Sequence, residues 1–302
     1  MFRYYSIIDI EDLVNDNFRI GISLKSAITF KFQDCYCRFR RTVHKDSRDV
    51  WERIIVSYYT DSKCYEKAKQ KIRQCLDLLS FIFIIPFDYE CIQCEKVDVI
   101  EEVLSNNRTK KIIQLQEISD KVDRFRKSRG RFFDVLAIFR KGIQYGFMDG
   151  FIEEAYLYYF KSIENVAKEY FDKEAKDKLD INKEELENIL LKIFKENFGI
   201  VYSDNKINDI AGVIKRKLIN ISSGDIYSKI ALFCNRNKIR VDYDLLGRAV
   251  SLRNKIAHED NVNIDDYMEE YFFILKLSRE IIAKKYFNKN YNKIYIKSRF
   301  KI

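Results

Sequence analysis

One proline and nine glycines in 302 residues leave few natural breaks in the backbone. Both residues interrupt or end regular elements, so their scarcity favours long helices and excludes collagen-like or Pro/Gly-rich disordered chains. Histidine is scarcer still. His44 and His258 are the only two and lie 214 positions apart, which rules out a His-rich metal centre within one chain. No apolar run is long enough to cross a bilayer: the longest, Leu78 to Phe87, contains Ser80 and Pro86. Glycine-rich phosphate loops, His-Glu-x-x-His and Gly-x-Ser-x-Gly are also missing, so the common routes to NTP hydrolysis, zinc proteolysis and serine hydrolysis have no foothold. The start shows no charged-then-apolar leader. Together with seven cysteines, an odd number, this points to a reducing cytoplasm.

What is present suits a folded protein. Hydrophobic residues make up 47% and aromatic residues 15%, and the length allows two domains with real cores. The formal net charge is +9. It is spread evenly: residues 1–130 hold 24 basic and 20 acidic side chains and residues 131–302 hold 31 and 26, giving +4 and +5. Such a surplus permits nucleic-acid binding without concentrating it in either half.

The first sixty residues read as strands. Ile20 to Phe32 and Cys35 to His44 alternate apolar with polar residues around Asp34, which predicts a hairpin, and Glu52 to Thr60 is a further β-rich run. The period then changes. Tyr65, Ala68, Ile72, Cys75, Leu79 and Phe83 recur at threes and fours, predicting an amphipathic helix over 62–85 that Pro86 stops. Cys91 to Glu102 is a candidate final strand. The charged stretch Arg124 to Arg131 suggests a boundary, giving an α+β domain over 1–130. Beyond it, helical spacing covers Phe132–Tyr145, Phe151–Phe171, Lys183–Asn197, Asn208–Asn220, Asp225–Asn235, the stripe Leu245 to Ile256, and Asp265 to about Tyr286. The predicted architecture of 131–302 is a helical bundle.

One of the two histidines closes the string Arg253-Asn254-Lys255-Ile256-Ala257-His258. A histidine exchanges protons near neutral pH, and an arginine offers a charged planar fork to phosphate oxygens. Cleavage of a phosphodiester by its neighbouring 2′-hydroxyl needs an acid or base and a cation, and no metal. Positions five apart on a helix lie about 140° apart around its axis, so Arg253 and His258 do not share a face, whereas Asn254 and His258 do. Either the helix ends between them, or a second copy completes the site. The plainer reading makes His258 a cap for helix carbonyls and pairs Arg253 with an acid such as Asp244 or Glu259.

The string SLRNKIAHED resembles the signature of HEPN domains. Their ribonuclease members carry an Arg, a polar residue next, and a His four to six positions after the Arg. The ApeA-like branch is the most similar, with an LRNKIAH string following a helix. The resemblance implies a HEPN-like all-helical C-terminal domain that dimerises, brings two motifs into one cleft and cuts RNA without metal. Arg253 would hold phosphate, Asn254 would support the site, and His258 would be the acid or base. The motif covers six residues and the helical pattern about half of the chain, while the N-terminal half matches no nameable family; since the family links this domain to variable partners, the resemblance implies a regulatory or sensing role for 1–130. Some HEPN toxins are silenced by nucleotide transfer to a tyrosine two residues after the motif histidine; that position is Asp260 here, so this control does not carry over.

Other groups invite chemistry. Cys35, Cys37, Cys91 and Cys94 could supply four thiolates to zinc, although free cytosolic thiols fit the spacing better. His44, in Arg-Arg-Thr-Val-His-Lys, could meet phosphates or sit at a solvated strand end. From Lys284 the chain carries seven Lys or Arg and no acid, interleaved with Tyr286, Phe287, Tyr291, Tyr295 and Phe300. Rings among cations suit single-stranded RNA, and Lys255, Lys293, Lys297 and Arg299 are the candidate contacts, but the same pattern arises when aromatics pack on a bundle. The leading expectation is a cofactor-free endoribonuclease, active as a homodimer, cutting single-stranded RNA or tRNA as a conditional toxin or antiviral effector under a trigger or regulator protein. The alternatives are a non-catalytic RNA-binding or dimerisation module and a protein-interaction scaffold.

Overall fold

Alternation of large apolar residues with polar ones builds a five-stranded antiparallel sheet in the computed structural model. The structure describes residues 1–9, 28–43, 50–88, 91–100, 104, 110–125, 128–147, 151–174, 225–258 and 262–294, with short pieces at 188–189, 192–193 and 209–210. Strands β1 (Phe2–Asp9), β2 (Ile28–Phe32), β3 (Cys35–Val43), β4 (Val50–Thr60) and β5 (Gln93–Lys96) run in the order β2-β3-β4-β1-β5. One face carries Tyr4, Ile8, Phe30, Phe32, Phe39, Ile54 and Val56, all buried. The predicted hairpin closes at Gln33 and Asp34, with φ of 51° and 65°. Two consecutive left-handed residues give the turn whose twist matches paired strands, at some cost for side chains other than glycine. The surroundings offset that cost. Gln33 donates its backbone N–H to Ser119 Oγ at 3.0 Å and its amide to the Ser119 carbonyl at 3.1 Å, while Lys71 donates to Asp34 at 2.7 Å.

Helix α1 (Tyr65–Phe83) lies on the apolar face, with Phe83 6.3 Å from Phe39 and Tyr65 6.4 Å from Tyr4 between ring centres. It ends through Ile84, left-handed at φ 56°, whose N–H returns to the Ser80 carbonyl; Pro86 then prevents resumption. Helices α2 (Lys110–Asp123), α3 (Arg129–Gly146) and α4 (Ile152–Glu174) follow. Gly142 of α3 faces the Tyr159 ring of α4, which would stand 2.7 Å from an added Cβ, so these helices approach more closely than alanine allows. Two more helices, α5 (Ile226–Arg236) and α6 (Tyr243–His258), precede a 3₁₀ turn (Ile264–Tyr267), α7 (Met268–Ile282) and a π turn (Ala283–Phe287). The predicted helices 183–197 and 208–220 lie outside the described residues, apart from the short pieces named above.

The sequence placed a boundary at 130/131, but the two compact units divide elsewhere: Met1–Ser162 with Asn261–Ile302, and Ile163–Asp260. The reason is packing between elements distant in sequence. Within the first unit, Phe139 of α3 meets Phe81 of α1 at 5.5 Å, and buried Arg140 donates to Asp77 of α1 at 2.6 Å. The C-terminal segment returns to the same helices, with the Tyr291 hydroxyl donating to the Phe81 carbonyl at 2.7 Å. Among the described residues, no helix is long and apolar enough to cross a membrane.

Candidate active site

Among the described residues, the second unit holds α5, α6 and the C-terminal part of α4. Asp225 caps α5 by accepting from the Tyr227 N–H at 3.0 Å, and Asp242 caps α6 by accepting from Asp244 and Leu245 at 3.1 and 3.0 Å. Phe233 of α5 packs edge-on against Tyr170 of α4 at 5.1 Å, and Lys229 lies over the Phe171 ring at 5.2 Å. Helix α6 buries Leu246, Ala249 and Leu252. This stripe sets the orientation of everything after it.

Arg253 borders the buried stripe and is half-buried, whereas Asn254 and His258 are exposed. Arg253 Nη1 donates to Asn254 Oδ1 at 3.1 Å, and Nη2 lies 3.6 Å from Glu164 Oε2 on α4. The sequence offered Asp244 or Glu259 as the partner. Among the described residues Glu164 takes that place, Glu259 lying outside them; Glu164 lies on a helix far away in sequence, where spacing rules give no signal. With the Arg253 and Glu164 side chains 32% and 35% exposed, the ion pair contributes only about 0–1 kcal/mol. It orients the guanidinium and holds it weakly.

Helix α6 runs unbroken to His258, so it does not end between the two residues. They stand about 140° apart on one helix, and one copy of the motif does not aim both at one point. Asn254 and His258 are neighbours on the exposed face. Lys255 and His258 occupy the last turn, where cations complement the carbonyl end of the helix dipole.

The remaining candidates separate. Lys293 is exposed in a 3₁₀ turn (Tyr291–Lys293) of the first unit, and its carbonyl accepts from the Gln114 amide at 3.1 Å. Lys297, Arg299, Tyr295 and Phe300 lie outside the described residues, as do His44, Glu259 and Asp260. Tyr286, Phe287 and Tyr291 are buried, packed among Phe125, Phe132 and Phe81. These three rings belong to the core and are not a stacking surface.

The four cysteines do not converge. Cys35 and Cys37 are buried on β3 while Cys91 and Cys94 are exposed around β5, with β4 and β1 between them. Strand spacing puts the two pairs on the order of 14 Å apart. Cys37 Sγ instead lies 3.4 Å from Cys75 Sγ of α1, and burial pushes the Cys75 thiol well above its ordinary pKa.

No known family model, curated protein or solved structure matches the chain. The functional reading therefore rests on the motif and its setting.

Proposed function

We propose that the protein is a metal-independent endoribonuclease of the HEPN type, in which two copies of α6 from a homodimer form one cleft. The observation that carries this is the continuous helix through Arg253 and His258, which presents a phosphate-binding fork and a proton-transfer group on different faces. Such a helix supplies half a site twice, and a twofold partner supplies the other halves. His258 is exposed at the helix end, within reach of a 2′-hydroxyl or a leaving 5′-oxygen, and Arg253 meets the phosphoryl oxygens. Asn254, bonded to Arg253, orients the fork.

The role of a conditional toxin or antiviral effector belongs to this reading, with the first unit taking the trigger or regulator. The test is incubation with total RNA and tRNA in EDTA, beside Arg253→Ala and His258→Ala proteins. Wild type is expected to cut and leave 2′,3′-cyclic phosphate ends, with His258→Ala slower by about 10²–10⁴-fold. Equal cutting by His258→Ala protein would remove the proposal. A second reading, a non-catalytic RNA-binding or dimerisation module, draws on the engagement of Arg253 by Glu164 and Asn254. It requires salt-sensitive RNA binding with no cleavage.

A further inference from the structure

Strand register assigns a second set of residues to one surface. Pairing lines up Lys31, Tyr36, Ser57, Tyr5 and Gln93 in a single row across all five strands. The row beside it holds Arg38, Ile55 and Ile7, and the row on the other side holds Tyr59 and Arg3. These positions lie on the face opposite the one that α1 covers. Antiparallel sheets often leave one face to solvent, but a merely solvated face mixes both charge signs and exposes little apolar surface. On this face the acids lie toward β1 and β5, whereas β2 and β3 present Lys31 and Arg38 beside Tyr36. Arg3 engages Glu95 at 2.7 Å and Arg53 lies opposite Asp9 in the register, while Lys31 and Arg38 stand exposed on the neighbouring strands β2 and β3. Ile7 is 40% exposed.

The rings are arranged as a platform. Tyr36 and Tyr59 meet edge to face at 5.6 Å, and the Arg3 guanidinium lies over Tyr5 at 4.5 Å while donating to Ser57 Oγ at 3.3 and 3.2 Å. Small Ser57 thus separates two half-buried tyrosines, with Lys31 and Arg38 exposed alongside. We infer that this sheet face binds single-stranded RNA, unpaired bases lying on Tyr36 and on the guanidinium of Arg3 above Tyr5, and phosphates meeting Lys31 and Arg38. The charge surplus selects a polyanion, and tyrosines presented on a pleated surface select bases that are free to stack. A duplex hides its base faces and lacks that second interaction.

The inference goes beyond the nuclease reading and does not depend on it, because it concerns affinity measured on a chain that does not cut. Full-length His258→Ala protein is titrated into fluorescent oligouridine across a salt series, alone and with Lys31→Glu/Arg38→Glu, Tyr36→Ala or Tyr36→Phe added. The charge reversal is expected to weaken binding at least about 10-fold and to flatten the salt dependence. Tyr36→Ala is expected to weaken it about 5- to 100-fold, the worth of one stacked base, with Tyr36→Phe close to the parent. The charge-reversal variant changes only exposed side chains, so its thermal melt should match the parent and its result stands even where Tyr36→Ala fails to fold. Unchanged affinity in that variant, no binding by the parent, or tighter binding to duplex or anionic vesicles than to the single strand would each overturn the inference. Binding without cleavage by the otherwise wild-type chain would instead remove the nuclease reading and leave this one in place.

Discussion

Arg253 and His258 differ in what surrounds them, and the difference fits their proposed tasks. The guanidinium is oriented by Asn254 at 3.1 Å and loosely by Glu164 at 3.6 Å, while the imidazole stands exposed at a helix end. The contrast with Arg140 shows what a structural arginine looks like here. Its side chain is 6% exposed and donates to Asp77 at 2.6 Å and Asp88 at 2.8 Å. Burial raises the Asp77 carboxyl to about 6 against the pull of Arg140, and the guanidinium keeps its proton throughout. A carboxyl whose folded pKa exceeds its unfolded value stabilises the fold fully below the unfolded pKa and loses that contribution as pH rises through the folded one. Stability measured by urea unfolding should therefore fall, relative to Asp77→Asn protein, between pH 4 and pH 7, by on the order of 2–3 kcal/mol. A difference between the two proteins that stays flat across that range would contradict the assignment.

At the scale of elements, local signals were legible and distant partners were not. The hairpin at Asp34, the helix from Tyr65 and its stop before Pro86 follow from alternation, helical spacing and a missing N–H. The strand Phe2–Asp9 does not stand out within the β-rich start, because its interior place between β4 and β5 is a property of pairing. The motif was readable because histidine is so rare in the chain, whereas Glu164 and the sheet face opposite α1 appear only once helices and strands are set side by side. The C-terminal aromatics are the clearest case. Spacing left packing and base stacking equally open, and the structure buries Tyr291 against Phe81 at 5.3 Å with Arg279 over its ring. Tyr291→Ala should cost about 3–5 kcal/mol, read from the urea midpoint, with RNA affinity unaltered in the protein that stays folded. Full stability combined with weakened RNA binding would return the ring to the stacking role.

The whole molecule has a sheet-bearing unit and a helical unit that carries the motif; the first is proposed as the platform for single-stranded RNA and the second as the source of the cutting groups. The chain supplies Arg253 and His258 on separate faces of one helix, so each working site of the proposed nuclease draws them from different copies. This can be put to a direct test by mixing Arg253→Ala and His258→Ala proteins under conditions that exchange subunits, then measuring RNA cleavage in EDTA. Each protein alone should be nearly silent, and the mixed dimer, with one site holding an intact Arg253 and an intact His258, should regain cutting. Wild-type cleavage with no recovery in the mixture would contradict the shared site, and a silent wild type on every RNA offered would contradict the nuclease itself.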